Sequence, residues 1–320
     1  MTASTGTTHA ITGPHPMRVT DIDAVNRVFA DAFTERYRRD GMVGVRVPQL
    51  NPAIWRYAIE GARAGAMLWR DPSGEVAAFN VAHRSGTEGW MGPLAVRPEW
   101  QGSGVGKTIV QAGAAWLLAE GASTVGLETM PRTVDNIGFY AAMGYVPGPL
   151  TITLTVDAAD APVDTLGALR PAERDDVVSA CRDLVGRLIP GRDFSRELQL
   201  TQELGLGDTC ILRGSHGVRG FAVYHAVPLV EGRAREELRV LKLAVEHDAD
   251  LIPLMVMVAS AARRAGTMRA AVRVQSGYQA AWNTLVGLGA RVRWTDLRMT
   301  LRGYPEIMAR HGVVFSNWEI

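Results

Sequence analysis

The sequence predicts a mixed α/β fold built twice in tandem, with its chemistry concentrated in the first copy. Five segments of the first half recur in the same order about 150 residues later, as a duplicated domain requires. Within each copy, short stretches of period-two apolar residues alternate with amphipathic helical stretches. A glycine-rich turn between a strand and a helix stands in one copy and is missing from the other.

Residues 1–16, MTASTGTTHAITGPHP, have no basic segment leading into an apolar core, so they read as a flexible tail and not a signal peptide. MRVTDIDAVNRVFA (17–30) matches LRPAERDDVVSACR (169–182): an arginine, acidic residues, then an amphipathic helix, which the first copy places near 21–36. Strands near 66–70 and 75–83 follow, and GEVAAFNVAH (74–83) matches HGVRGFAVYH (216–225). The next strand, 90–96, contains GPLAV (92–96), matched by LKLAV (241–245). A helix over 105–120 puts Val105, Ile109, Ala112 and Trp116 on one face, with Gly121 as its C-cap. A strand at 123–129 and a short helix at 136–143 come next; FYAAMGYV (139–146) matches TLVGLGAR (284–291). The closing strand TITLTV (151–156) matches LRMTLR (297–302). Between the copies, DAADAPVDTLG is rich in Ala, Asp and Pro and reads as a linker. The expected organisation is therefore a tail at 1–16, a first domain at 17–157, a linker at 158–168 and a second domain at 169–320.

The chain has 320 residues and a net charge of +1, which gives no field toward nucleic acid or an anionic membrane. Arg36, Arg38 and Arg39 read as a solvated helix end. No apolar stretch approaches the roughly 18 uninterrupted residues a membrane span needs. Two cysteines, Cys181 and Cys210, without a C-x-x-C motif or a Cys/His cluster, argue against structural zinc and against a disulfide framework. The expectation is a soluble, cytoplasmic protein that needs no metal.

The chemistry should lie in MGPLAVRPEWQGSGVGKTIVQAGAAWLL (91–118). Glycines 102, 104 and 106 let backbone amides turn inward, and the helix start adds unpaired N–H groups and a positive dipole end, so the turn suits an anion such as pyrophosphate. It is not a P-loop: GSGVGKT has Gln101 where G-x-x-x-x-G-K-[ST] requires the first glycine. Nor is it a dinucleotide fingerprint, since Lys107 takes the place of the third glycine.

The pattern that fits is Q-x-x-G-x-G at Gln101, Gly104 and Gly106, after a strand ending in LAV. With NIGFYAAMGY, which carries Asn136, Tyr140, Gly144 and Tyr145, it resembles the GNAT acyltransferase superfamily over about residues 15–156. The resemblance implies two tandem GNAT-like domains, each a mixed, mostly antiparallel sheet flanked by helices. It implies an N-acyltransferase that moves an acyl group, usually acetyl, from acetyl-CoA as co-substrate to a small-molecule or peptide amine. Leu94, Ala95 and Val96 would pair with the pantetheine arm and polarise the thioester carbonyl. Gln101, Gly102, Ser103, Gly104, Val105, Gly106, Lys107 and Thr108 would hold the pyrophosphate, and Asn136 the CoA arm. Tyr140 would protonate the departing thiolate, with Phe139 turned to the core; the bland alternative for Tyr140 is a packing aromatic. For the general base, Glu128 comes first, ahead of Glu88 and His83. In the family the first helix and the following loop line the acceptor site, here Ala32 to Leu50 with Asp31 and Glu35.

The second copy lacks this equipment: Glu246, Asp248 and Asp250 follow its LKLAV, and Leu285 stands near the place of Tyr140. It reads as a degenerate domain that shapes the acceptor site or imitates a dimer partner, making the chain an internal pseudo-dimer, alone or in a homodimer. The competing readings are a non-catalytic acyl-CoA sensor and a nucleotide-phosphate binder.

Overall fold

The computed structural model describes residues 11–215 and 217–317; residues 1–10 of the expected tail and residue 216 of the second-copy strand match lie outside the described residues. The rest of that tail is not loose. β1 (Thr12–Pro16) pairs antiparallel with β2 (Ala66–Arg70), Thr12 opposite Arg70 and Pro16 opposite Met67. Its side chains are all exposed, so backbone pairing at the sheet edge orders it, which hydrophobic periodicity does not reveal.

Two helices follow β1. α1 (Ile22–Arg39) buries Ile22, Val25, Val28 and Ala32. α2 (Pro52–Ala62) begins where a proline costs no hydrogen bond, and the Asn51 side chain accepts from the Ala53 N–H at 3.0 Å. β2, β3 (Val76–Ser85) and β4 (Glu88–Val96) form an antiparallel meander. α3 (Val105–Ala119) then returns the chain so that β5 (Thr124–Thr129) lies parallel to β4, before α4 (Val134–Ala141) and β6 (Tyr145–Asp157). The second half repeats the series: α5 (Pro171–Leu188), α6 (Ser195–Glu203), β7 (Gly207–Gly214), β8 (Gly217–His225), β9 (Glu237–Val245), α7 (Leu251–Arg264), β10 (Arg269–Gln275), α8 (Gln279–Gly287) and β11 (Arg291–Leu301). It adds β12 (Val313–Ser316).

The strands form one sheet in the order β1-β2-β3-β4-β5-β11-β6-β10-β9-β8-β7, with β12 on β9. β11 of the second half pairs with β5 and β6 of the first, and β6 of the first pairs with β10 of the second. The two closing strands are thus exchanged, and the linker that separates the copies in sequence does not separate the sheet. The cores follow suit. Met299 of β11 is fully buried among first-half residues, while Leu154 and Val156 of β6 belong to the second-half core. Each half is covered on both faces, α1 and α2 against one and α3 against the other in the first. Cys181 and Cys210 are both buried and unbridged. No helix among the described residues is long and apolar enough to cross a membrane.

Candidate active site

β4 and β5 begin as neighbours and then part. Their parallel pairs run from Glu88 with Thr124 to Met91 with Leu127 and stop there. Against β3, Met91 pairs with Ala82 and Leu94 with Asn80, so β4 carries one extra residue in the Gly92–Pro93 stretch. A bulge of this kind bends its strand. Beyond it Leu94, Ala95 and Val96 keep β3 on one edge, while the other faces the widening gap toward β5. The three residues predicted to pair with a pantetheine arm therefore have one strand edge that no strand among the described residues takes up.

The loop that follows is tied back to this edge. Gln101 Nε2 donates to the Val96 carbonyl at 2.9 Å, and Ser103 Oγ donates to the Trp100 carbonyl at 2.6 Å. Gly102 and Gly104 have φ of 77° and 89°, left-handed conformations that favour glycine. Gly104 is the N-cap of α3 and no side chain caps the helix, so its first amides keep their donors for a ligand. Gly102, Ser103, Gly104, Lys107 and Thr108 are exposed, Gly106 is half-buried and Val105 is buried. Val105 can offer a ligand only its amide.

α4 closes the other side. The Asn136 amide lies 3.5 Å from Thr129 Oγ1, at the end of β5. Tyr140 is buried, 6.1 Å from the Tyr145 ring, and burial pushes its phenol up to about 12. Phe139 reverses the expectation. It is 37% exposed and lies over Gly106, where an added Cβ would meet its ring at 3.3 Å. The short helix turns Tyr140 inward toward Tyr145, and its neighbour, one residue away, must then face out.

Glu128, the first-choice base, is held among opposite charges. It stands opposite Arg298 of the exchanged strand β11 and accepts hydrogen bonds from Arg298 and Arg273, and from Thr151 Oγ1 at 2.6 Å. Burial alone would raise its carboxyl, but the two guanidinium charges outweigh that and hold it below the usual range. A carboxylate so stabilised in its charged form is a structural counter-ion and a poor proton acceptor. Glu88 is likewise ion-paired with Arg192 at 2.7 Å and bonded by Ser316 Oγ at 2.7 Å. His83 differs: burial, with the nearby Lys242 charge, lowers it to about 4, so it is neutral at physiological pH. Its Nε2 lies 3.0 Å from the Gly92 carbonyl, which can only accept, so Nε2 carries the proton and Nδ1 the lone pair.

The acidic residues expected to face the acceptor are only partly available. Glu35 is held by Arg38 at 2.7 Å and Arg39 at 2.8 Å, and those hydrogen bonds lower it to about 2. Asp31 is exposed on α1. The loop after α1 is pinned at its far end: Asn26 exchanges two hydrogen bonds with Leu50, and the Asn51 N–H donates to Leu229 of the second half at 2.9 Å.

Comparison with known proteins fits this geometry. Residues 28–145 match the sequence model described as the acetyltransferase (GNAT) family. Over these residues the chain is similar to a GNAT acetyltransferase domain. The whole chain shares its fold with a GCN5-related N-acetyltransferase from Sphaerobacter thermophilus (17% identity, 93% of this chain and 96% of that one, TM-score 0.58). It is also similar to a tandem GNAT protein from the clavulanic acid biosynthesis pathway (12% identity, 93% and 100%, TM-score 0.58). A third similar fold is N-myristoyltransferase of Saccharomyces cerevisiae, solved with myristoyl-CoA bound (10% identity, 93% and 79%, TM-score 0.63). No curated protein matches the sequence significantly.

The second half has the GNAT fold and repeats the split of the first with one change. β9 has its own extra residue at Leu241, and its pairs with β10 end at Arg239 with Ala271. From there β12 takes over, pairing antiparallel with Lys242, Leu243, Ala244 and Val245. The edge equivalent to Leu94–Val96 is therefore filled by the chain's own strand. Sequence reasoning missed β12, although VVFS after a glycine reads as a short strand; what it covers depends on pairing, which one segment cannot disclose. It missed Arg273 and Arg298 because nothing in the sequence aims them at the first half.

Proposed function

We propose that the first half binds an acyl-CoA, acetyl-CoA in the first instance, and transfers the acyl group directly to the amine of a small molecule or peptide. The observation that carries this reading is the contrast between the two split edges. In the second half a protein strand completes the edge, and in the first no strand among the described residues does so, while the loop beyond that edge leads to an uncapped helix start. A pantetheine arm would complete the edge of Leu94, Ala95 and Val96 as β12 completes its counterpart. Gln101 to Thr108 would receive the pyrophosphate, chiefly through backbone amides, and Asn136 would contact the arm. The acyl-CoA bound in the yeast myristoyltransferase fold supports the same ligand class here.

When bound, the thioester supplies an activated carbonyl. The split edge offers backbone N–H groups to polarise it. His83, whose Nε2 meets the Gly92 carbonyl where the strands part, is lowered to about 4 and is too weak a base for an ammonium, so the amine's proton is assigned to solvent. Tyr140, protonated at any physiological pH, would return a proton to sulfur. The test is free-thiol release from acetyl-CoA over a panel of primary amines. Amine-dependent turnover is expected; binding of acetyl-CoA without turnover of any amine would favour a sensor, and binding of ATP in its place would overturn the reading.

A further inference from the structure

β5 stops pairing with β4 at Leu127, and the chain from Glu128 onward runs along the gap between them. Arg132 stands just past the end of β5, in the loop that leads to α4. On its other side β5 pairs with β11, Glu128 with Arg298 and Thr129 with Leu297, and the same register continued to Arg132 brings it opposite Trp294. The Arg132 guanidinium carbon lies 5.5 Å from the centre of the Trp294 ring. It lies 5.4 Å from the ring of Tyr37, near the C-terminal end of α1. Nη1 donates to Met42 Sδ at 3.0 Å, in the loop after α1, and Nη2 lies 3.7 Å from Met130 Sδ. Three parts of the fold thus meet around one exposed guanidinium: α1 with its loop, the end of β5, and the exchanged strand of the second half.

The carboxylates nearby are engaged elsewhere. Asp40 is paired with Arg36 and accepts from Thr133 Oγ1 at 2.8 Å, and Asp135 is 3.4 Å from Arg36. Asp296 accepts from Trp294 Nε1 at 3.1 Å and lies 3.0 Å from Arg273. Glu35 and Glu128 each sit between two arginines. Among the described residues no carboxylate pairs with Arg132. Its partners are two rings and two thioethers, which carry no net charge, and sulfur is a weak acceptor. The rings restrict how the fork turns, while its strong donors remain for an anion. A guanidinium held in this way suits a carboxylate, which it can meet with two parallel N–H bonds. The same rings and methionines offer apolar walls to the carbon skeleton behind that carboxylate.

We propose that Arg132 anchors the acceptor: it binds the carboxylate of a small amine with an apolar carbon skeleton, an α- or ω-amino acid, and so directs the nitrogen to the gap between β4 and β5. The inference rests on the acyltransferase reading and names the class of its acceptor. Through Trp294 it gives the second half a part in selecting that acceptor.

The test uses the full-length protein with saturating acetyl-CoA, thiol release as the readout, and two matched pairs of probes: L-leucine with L-leucinamide, and 4-aminobutyrate with 4-aminobutyramide. Each pair exchanges a carboxylate for an uncharged amide of the same shape. In at least one pair, Arg132→Gln should raise KM about tenfold more for the carboxylate than for its amide, the effect of losing one bidentate charged contact. Arg132→Lys keeps the charge and loses the fork, so its KM for that carboxylate should fall between those of the parent and Arg132→Gln. Added salt should raise the parent's KM for the carboxylate more than for the amide. Equal changes for carboxylate and amide in both pairs overturn the inference, since lost packing alone would act on both. Turnover of the amides and of plain alkylamines with neither carboxylate turned over also overturns it. Both results leave the acyltransferase reading standing. Failure of acetyl-CoA to bind at all overturns both.

Discussion

Replacing Glu128 by glutamine separates a structural counter-ion from a catalytic base. The side chain is 14% exposed and lies between Arg298 and Arg273, which are 0% and 4% exposed. Removing one partner of a buried ion pair costs about 3–5 kcal/mol, because a charge remains without compensation. Here each arginine keeps a second carboxylate: Glu306 is 2.8 Å from Arg298 Nε, and Asp296 is 3.0 Å from Arg273. The loss should therefore fall at the low end, about 3 kcal/mol, enough to weaken a protein of ordinary stability without unfolding it. Because Arg298 sits on the exchanged strand, the weakening should loosen the join between β5 and β11. Urea unfolding followed by steady-state thiol release on the same preparation provides the assay. The expected result is a clear drop in the midpoint, with turnover per folded molecule within a few-fold of the parent. A variant of undiminished stability whose turnover falls by roughly 10²–10⁴ would refute this reasoning and restore Glu128 as the base.

Tyr140→Phe keeps the buried ring and removes the proton, so turnover should fall by about 10²–10⁴ while acetyl-CoA affinity holds; near-normal turnover would make Tyr140 a packing residue. A chain ending near residue 160 loses Met299 from the first-half core and uncovers the edge of β5, so it should aggregate or lose activity; a soluble, monomeric and active first half would contradict that. Acid should destabilise the protein between about pH 6.5 and 4. An unfolded histidine takes up its proton near 6.5, whereas His83 stays neutral in the fold down to about 4, so stability is full above that window and is lost as pH falls through it. The contribution is on the order of 3 kcal/mol, and His83→Gln should flatten the slope of urea midpoint against pH; an unchanged slope would mean that His83 is protonated in the fold.

The first copy was largely legible because its signals are local. Strand β2, α3 with its C-terminal glycine, β4 and the glycine-rich turn follow from periodicity and from residues a few positions apart. β1 escaped because its side chains carry no burial pattern, and only pairing with β2 orders it. The tandem repeat could be read from matching segments, but not the exchange of β6 and β11, since both strands have the same alternation and either neighbour satisfies it. Glu128 illustrates the same limit at the site. Its position beside the gap between β4 and β5 was legible, and its arginine partners come from residues 145 and 170 positions away. Phe139 and Tyr140 are adjacent aromatics, and which one faces inward is decided by Tyr145 and the start of α3, not by the motif that contains them.

Calorimetric titration of acetyl-CoA into the full-length protein and into Gly104→Trp tests the proposed site at its centre. Gly104 adopts φ 89° with open space where a Cβ would stand, so the substituted ring would occupy the space in front of the uncapped α3 amides. The account predicts one site per chain in the parent, because β12 fills the second split edge, and a loss of affinity of at least about a hundredfold in the folded variant. Two equivalent sites per chain, or a Gly104→Trp protein that binds acetyl-CoA as well as the parent, would contradict it.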